Sequence, residues 1–396
     1  MEEKLKLYLR TMISNKGSDL HIKAGSQVRV RIHGVLKVLG KDALTAEMVE
    51  KLAKEITTTD QYEKLVTDRN LDFSYVLGSE NRFRVNFFYQ MDGLSAVFRI
   101  IPVDILSLDD LNLPEVIKSF TEIQRGLVLV TGVTGSGKST TLAAILDKIN
   151  REQKKHIITV EDPIEFVHKD RGCLINQRGI GQDAHSFSDA LRAALREDPD
   201  IILVGEMRDL ETIDIALHAA NTGHLVFSTL HTLDAKETID RIVGMFGNEE
   251  QNRIRMSLAS VLEGVISQRL IPTIRGGRVA GIEILKKTAR IEQLIAENRD
   301  AEIPDALFEG KEIYGTQTFD QALLDILRRG EITEETALEY ATNPADMKLK
   351  MQGVGKGAIV QDDMEEKEAD VFGFKEEEEQ SNHCLILFRY NSRLFY

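Results

Sequence analysis

Residues 127–140 read Leu-Val-Leu-Val-Thr-Gly-Val-Thr-Gly-Ser-Gly-Lys-Ser-Thr. Leu127 to Val130 are apolar without a break, which predicts a strand covered on both faces, as in a parallel sheet. Gly132-Val133-Thr134-Gly135-Ser136-Gly137-Lys138-Ser139 fits G-x-x-x-x-G-K-[ST] with no mismatch, and Thr140 continues it. Glycines let successive backbone N–H groups curl around phosphate oxygens with no side chain in the way. A helix is predicted over 138–149, and its positive end points at the same anion. Lys138 is a mobile cation for the β- and γ-phosphates, and the Ser139 hydroxyl is a ligand for Mg²⁺. The expected ligands are ATP and Mg²⁺.

The same pattern extends outward. His156-Ile-Ile-Thr-Val160, Ile201-Ile-Leu-Val204 and Leu225-Val-Phe227 are further apolar strands. They alternate with helices, one of which sets Phe187, Ala190, Leu191, Ala194 and Leu195 on one face. This predicts an α/β domain with a mostly parallel sheet over 115–287. Residues 288–350 read as helical, and no internal repeat is present.

Hydrolysis needs more than a phosphate loop. An acid must hold Mg²⁺ or orient the attacking water. Strand 156–160 runs into Glu161-Asp-Pro-Ile-Glu165, and strand 201–204 runs into Gly205-Glu206. Acids at the carboxyl ends of parallel strands share the rim of the phosphate loop. His224 and His231 bracket strand 225–229. His231 falls just past the strand's end, where a γ-phosphate would be, which leaves it two readings, a satisfied structural histidine or a reporter of nucleotide state.

Residues 1–101 look like a separate small α+β domain. Val28, Val30 and Ile32 alternate with Arg29, Arg31 and His33, giving a strand pattern over 28–38 with a turn at Gly34. Residues 46–66 have helical spacing, and two more strand patterns run through Phe83–Phe87 and Ala96–Ile100. Arg82, Arg84 and Arg99 lie on these strands. They are either solvated and paired with acids, or offered to a neighbour's γ-phosphate as arginine fingers. Residues 102–114 contain two prolines and read as a linker.

The 396 residues carry 50 Lys and Arg against 64 Asp and Glu, a net charge of −14. That excess acid argues against stable nucleic-acid binding. Residues 361–379 hold ten acids and two lysines, a net −8, so 351–396 reads as a largely disordered acidic tail ending in an apolar stretch, CLILFRYNSRLFY. Cys173 and Cys384 make no CxxC pair or zinc set, which favours a reducing compartment. No run approaches the ~18 uncharged apolar residues of a membrane span, and the first residues lack a signal-peptide core.

Leu195-Arg-Glu-Asp-Pro-Asp-Ile-Ile-Leu-Val-Gly-Glu-Met-Arg-Asp209 resembles the signature of the type II/IV secretion ATPase superfamily, hexameric RecA-like motors of secretion systems and type IV pili. Ile158-Thr-Val-Glu-Asp-Pro-Ile-Glu165 is similar to its Asp box, and Gly223-His-Leu-Val-Phe-Ser-Thr-Leu-His-Thr232 to its His box. The resemblance spans residues 1 to about 345. It implies a PAS-like N-terminal domain before the RecA-like one. It also implies that Glu206 is the Walker B acid beside Ser139 at the metal, and that Glu165, with Glu161 competing, handles the attacking water. His224 and His231 would couple phosphate state to domain movement. Arg82, Arg84 and Arg99 match arginines offered to a neighbouring or partner active site.

Within the superfamily the chain most resembles type IV pilus retraction ATPases. It opens directly on Gly17-Ser-Asp-Leu-His21, and Ile271-Pro-Thr-Ile-Arg275 stands where relatives carry a four-cysteine zinc module. Residues 290–297 sit where retraction motors carry Ala-Ile-Arg-Asn-Leu-Ile-Arg-Glu. Ile291, Leu294, Ile295 and Glu297 agree, while Arg290, Glu292, Gln293 and Ala296 differ. The implied function is a cytoplasmic homo-hexamer driving pilus retraction and twitching motility. Its implied partner is an inner-membrane platform protein at the pilus base. Three alternatives remain at this stage: an accessory partner of a second retraction ATPase, a pilus assembly or type II secretion ATPase, and a nucleic-acid translocase.

Overall fold

The computed structural model describes residues 1–78, 81–102 and 104–353. The acidic run at 361–379 and the apolar stretch after Cys384 lie outside the described residues. The chain divides into two compact units, Met1–Thr342 and Asn343–Tyr396. Among the described residues the second holds one helix, Pro344–Met351. Both sheets belong to the first.

The first sheet has six antiparallel strands: β1 (Gly17–Lys23), β2 (Ser26–Ile32), β3 (Val35–Leu44), β4 (Asn70–Leu77), β5 (Asn81–Gln90) and β6 (Gly93–Ile101). Their order is β3-β2-β1-β6-β5-β4. The 28–38 pattern is thus a hairpin rather than one strand, broken at His33 and Gly34, which both take positive φ. Phe83, Val85 and Phe87 alternate inward with Phe73 and Phe98. Helices Glu2–Ser14, Ala46–Ile56 and Thr59–Asp68 supply further residues of the same core. The Phe73 and Phe87 rings stack at 5.9 Å. Arg82 and Arg84 are left on the other face of β5.

The second sheet has seven strands: β7 (Gly126–Thr131), β8 (His156–Glu161), β9 (Leu174–Gly179), β10 (Ile201–Val204), β11 (Leu225–Leu230), β12 (Leu262–Pro272) and β13 (Arg278–Lys286). The order is β13-β12-β7-β11-β10-β8-β9, parallel throughout except for the β12–β13 hairpin. Every residue of β7 is buried. Leu127 and Leu129 enter a core with helices Leu210–Asn221, Ala235–Gly244 and Asn248–Val261. Val128 and Val130 enter the opposite core, with helix Lys138–Glu152. The unbroken apolar run is what a strand between two cores requires.

Helix Asn248–Val261 passes into β12 with no intervening residue. Helices Ala289–Ala296, Ile303–Glu309, Phe319–Arg328 and Glu334–Tyr340 follow β13, as the helical reading after 288 expects.

Candidate active site

The glycine loop joins β7 to helix Lys138–Glu152. A Cβ on Gly132 would stand 2.3 Å from the Gln268 carbonyl oxygen, and one on Gly137 would stand 2.7 Å from Gln268 Nε2. Both glycines also have positive φ, 139° and 93°, so a larger residue is excluded twice over. Lys138 Nζ donates to the carbonyl oxygens of Gly132 at 2.8 Å and Val133 at 3.1 Å. Burial pushes its ammonium pKa down, while Glu206 and Glu165 pull the other way. The buried Ser136 hydroxyl has no hydrogen-bond partner among the described residues. Thr134, Gly135, Gly137, Lys138, Ser139 and Thr140 line a cleft of about 690 Å³; Gly132, Val133 and Ser136 do not line it. The volume and the glycine cradle fit a nucleotide.

The acids gather on the facing wall. Glu206 follows β10, and Thr229 Oγ1 ties that turn to β11 by donating to the Gly205 carbonyl at 2.6 Å. Glu206 accepts from Arg208 at 2.8 Å and stands 3.2 Å from His231 Nε2. Burial raises the Glu206 carboxyl, but Arg208 and His231 outweigh it and hold it below the ordinary carboxylate range. Ser139 and Glu206 are hard oxygen donors on one cleft, which suits Mg²⁺ bridging to phosphates.

The two acids after β8 differ in kind. Glu161 is buried and occupied: it accepts from Thr159 Oγ1 at 2.7 Å, Gln177 Nε2 at 3.3 Å and the Glu165 backbone N–H at 3.3 Å. Burial pushes its pKa up. Glu165 is exposed on the cleft wall, and its carboxylate makes no hydrogen bond to any described residue. Glu161 therefore fixes the backbone from which Glu165 projects.

The two histidines separate. β11 runs parallel to β7, with Leu225 opposite Gly126 and Leu230 opposite Thr131. His231 leaves the carboxyl end and lines the cleft. His224 stands at the other end of the strand, about 20 Å away at ~3.3 Å per residue. Its Nδ1 lies 3.0 Å from the Ala219 carbonyl oxygen, at the last turn of helix Leu210–Asn221. His224 therefore stands apart from the cleft that His231 lines.

The three arginines separate as well. Arg84 lines the cleft of its own chain. The N-terminal sheet reaches this side of the second sheet, where Gln182 Nε2 donates to the Ser74 carbonyl at 3.3 Å. Arg99, directly across from Arg84, is engaged by buried Asp19 at 2.7 Å. Arg82 and Arg99 do not line the cleft.

One residue has no counterpart in the motif reading. Gln268 on β12 accepts from Thr141 Oγ1 at 2.7 Å and presses on both loop glycines. Its only signal is a short polar run, Ser267-Gln-Arg269, between the apolar pairs Val265-Ile266 and Leu270-Ile271.

A family model described as type II/IV secretion system protein matches residues 1–365. The chain is 49% identical over 327 residues to the type IV pilus retraction ATPase PilT of Pseudomonas aeruginosa, covering 83% of this chain and 95% of that one. It is 37% identical over 345 residues to the type IV pilus ATPase PilU of the same organism, covering 87% and 90%. A crystal structure of the pilus retraction motor PilT with bound ADP superposes with a TM-score of 0.81 at 44% identity, covering 87% of this chain and 98% of that chain.

Proposed function

The chain belongs to the type II/IV secretion system protein family, and on that premise we propose that it is an ATP-hydrolysing motor that powers type IV pilus retraction. The observation that carries this reading is the cleft in which Lys138 faces Glu206, Glu165 and His231. The higher identity to PilT than to PilU favours the motor over an accessory partner.

In the chemical step, water attacks the γ-phosphorus in line with the bond to the β–γ bridging oxygen. That bond breaks as the new P–O bond forms, and ADP leaves with the bridging oxygen. Glu165, exposed and unengaged, accepts the proton of the attacking water. The loop N–H groups and Lys138 stabilise the charge on the transferred oxygens. Mg²⁺, held through Ser139 with Glu206 behind it, supplies further charge neutralisation when bound. His231 reports the outcome to Glu206. Arg84 approaches the same cleft from the N-terminal sheet, so closure of that sheet on the nucleotide is the coupling step.

In this reading the first sheet is a PAS-like domain and the second a RecA-like one. The working form is a homo-hexamer at the cytoplasmic face of the inner membrane, acting on the pilus platform protein. Among the described residues no helix is long and apolar enough to cross a membrane, which fits attachment through that partner.

Deletion of the gene with pilus imaging tests the direction of work. Hyperpiliated cells that do not twitch are expected; bald cells would make this an assembly motor instead.

A further inference from the structure

Strand β12 presents two faces. Gln268 stands on the side of the glycine loop, and Arg269, the next residue, stands on the other. Arg269 pairs with Gly281 and Ser267 with Glu283, so Arg269 and Glu283 are diagonal neighbours on that second face. Glu283 is a buried carboxyl group that takes no part in the chemical step. It accepts from the Ala235 backbone N–H at 2.9 Å, and the Phe319 N–H bonds it as well. Ala235 and Phe319 are the first residues of helices Ala235–Gly244 and Phe319–Arg328. One carboxyl group therefore closes the amino ends of two helices, where backbone donors have no partner within the helix.

The first of these helices leads back to the cleft. Residues 231–234 join its start to the end of β11 at Leu230. His231, which lines the cleft and meets Glu206, is the first of the four. Two of the others are tied to the helix itself. The Thr232 and Thr238 hydroxyls lie 2.7 Å apart, and the Leu233 N–H donates to Glu237 at 2.7 Å. Those ties move with the helix. Two further ties run to the hairpin: Arg269 Nη2 donates to the Leu233 carbonyl at 3.5 Å, and Glu283 holds Ala235. Arg269 is itself held, with its guanidinium 4.0 Å from the centre of the Phe319 ring. The segment before Phe319 is fixed on β13, where the Gln317 N–H donates to the Ile284 carbonyl at 3.1 Å.

A histidine that works through one contact needs its backbone placed to within about 0.5 Å. We propose that Glu283 and Arg269 are positioning residues for the hydrolytic step: they fix the 231–235 segment from behind, and through it the distance from His231 to Glu206. The inference rests on His231 acting in hydrolysis. It gives the two faces of the hairpin separate tasks. One shapes the glycine loop through Gln268, and the other sets the imidazole.

The test is a double-mutant cycle on the full chain, read by steady-state ATPase rates and ADP titration. Glu283→Ala is expected to lower kcat about tenfold and to leave ADP affinity within about twofold. Glu283→Gln keeps an oxygen for both N–H groups and is expected to recover kcat to within about threefold of wild type. Added to His231→Ala, Glu283→Ala is expected to cost less than about twofold more, because its effect passes through the imidazole. Should Glu283→Ala fail to fold, Arg269→Met carries the same cycle; it keeps the stem over Phe319 and removes the donor to Leu233, with a single-variant loss of about threefold expected. Losses that multiply in the double variant would make these residues merely structural and overturn the inference, as would wild-type kcat in the single variant. Wild-type turnover in His231→Ala would instead remove the role of His231, and this inference with it.

Discussion

His231 Nε2 stands 3.2 Å from Glu206 Oε1, joining the carboxyl ends of neighbouring strands β11 and β10 at the cleft wall. The other Glu206 oxygen takes Arg208 at 2.8 Å. Removing the imidazole leaves the carboxylate held from one side only. His231→Ala is expected to keep ADP affinity while lowering turnover at least about tenfold. Steady-state ATPase rates beside ADP titration check this; wild-type turnover would take His231 out of the mechanism.

Lys138→Ala and Glu206→Gln address the charge at the phosphates. Each is expected to lower kcat at least about a hundredfold with an unchanged circular dichroism spectrum. Near-normal turnover in either variant would overturn the site assignment.

Glu165 and Glu161 are separable because one is exposed and the other engaged. Glu165→Gln removes the proton acceptor and is expected to cost about a hundredfold or more in kcat with little change in Tm. Glu161→Gln disturbs one buried and two partly buried hydrogen bonds, so its larger effect is expected on Tm. The reverse pattern in paired activity and melting measurements would exchange their roles.

Gln268→Ala leaves the Thr141 hydroxyl without its buried acceptor and opens space behind Gly137, while the backbone carbonyl against Gly132 stays. A loss of about 1–3 kcal/mol of stability is expected, together with weaker nucleotide binding. Chemical denaturation reads the first and ADP titration the second. Unaltered ADP affinity would show that the loop holds its shape without this buttress.

Glu283 gives a pH prediction. This buried carboxyl on β13 accepts from the Ala235 backbone N–H at 2.9 Å. Burial pushes it up to about 7 from an ordinary 4.5, against the pull of the Ala235 N–H. Between those values the folded chain keeps a proton that the unfolded chain has released. Stability therefore falls as pH rises from about 4.5 to about 7, then levels. Glu283→Gln lacks this titration, so the Tm of wild type minus variant is expected to decline across that window. A flat difference would mean that Glu283 does not titrate there.

The parts of this site visible in the sequence are those whose meaning is local. Glycines, Lys138 and Ser139 stand within eight residues, and β7 announces itself by having no polar face. What was hidden depends on placement. His224, at the amino end of its strand, declares itself only through its contact with the Ala219 carbonyl. Arg84 and Arg99 share a face, but Arg84 meets exposed Asp72 at 3.5 Å and lines the cleft, while Arg99 is held by buried Asp19 at 2.7 Å and does not. Gln268 acquires its role when β12 pairs with β7, as the Thr131–Ser267 hydrogen bond shows across 136 positions. β12 is hidden because no glycine or proline separates it from the helix before it.

That last junction has a mechanical meaning. From Asn248 to Pro272 the chain is a helix welded end-on to a strand, with no loop to absorb a displacement. Helix Ala289–Ala296 packs on the first part and the glycine loop on the second. The one irregularity between helix Asn248–Val261 and Gln268 is the register shift at Leu262–Gly264, so a displacement of the helix has that step in which to be absorbed.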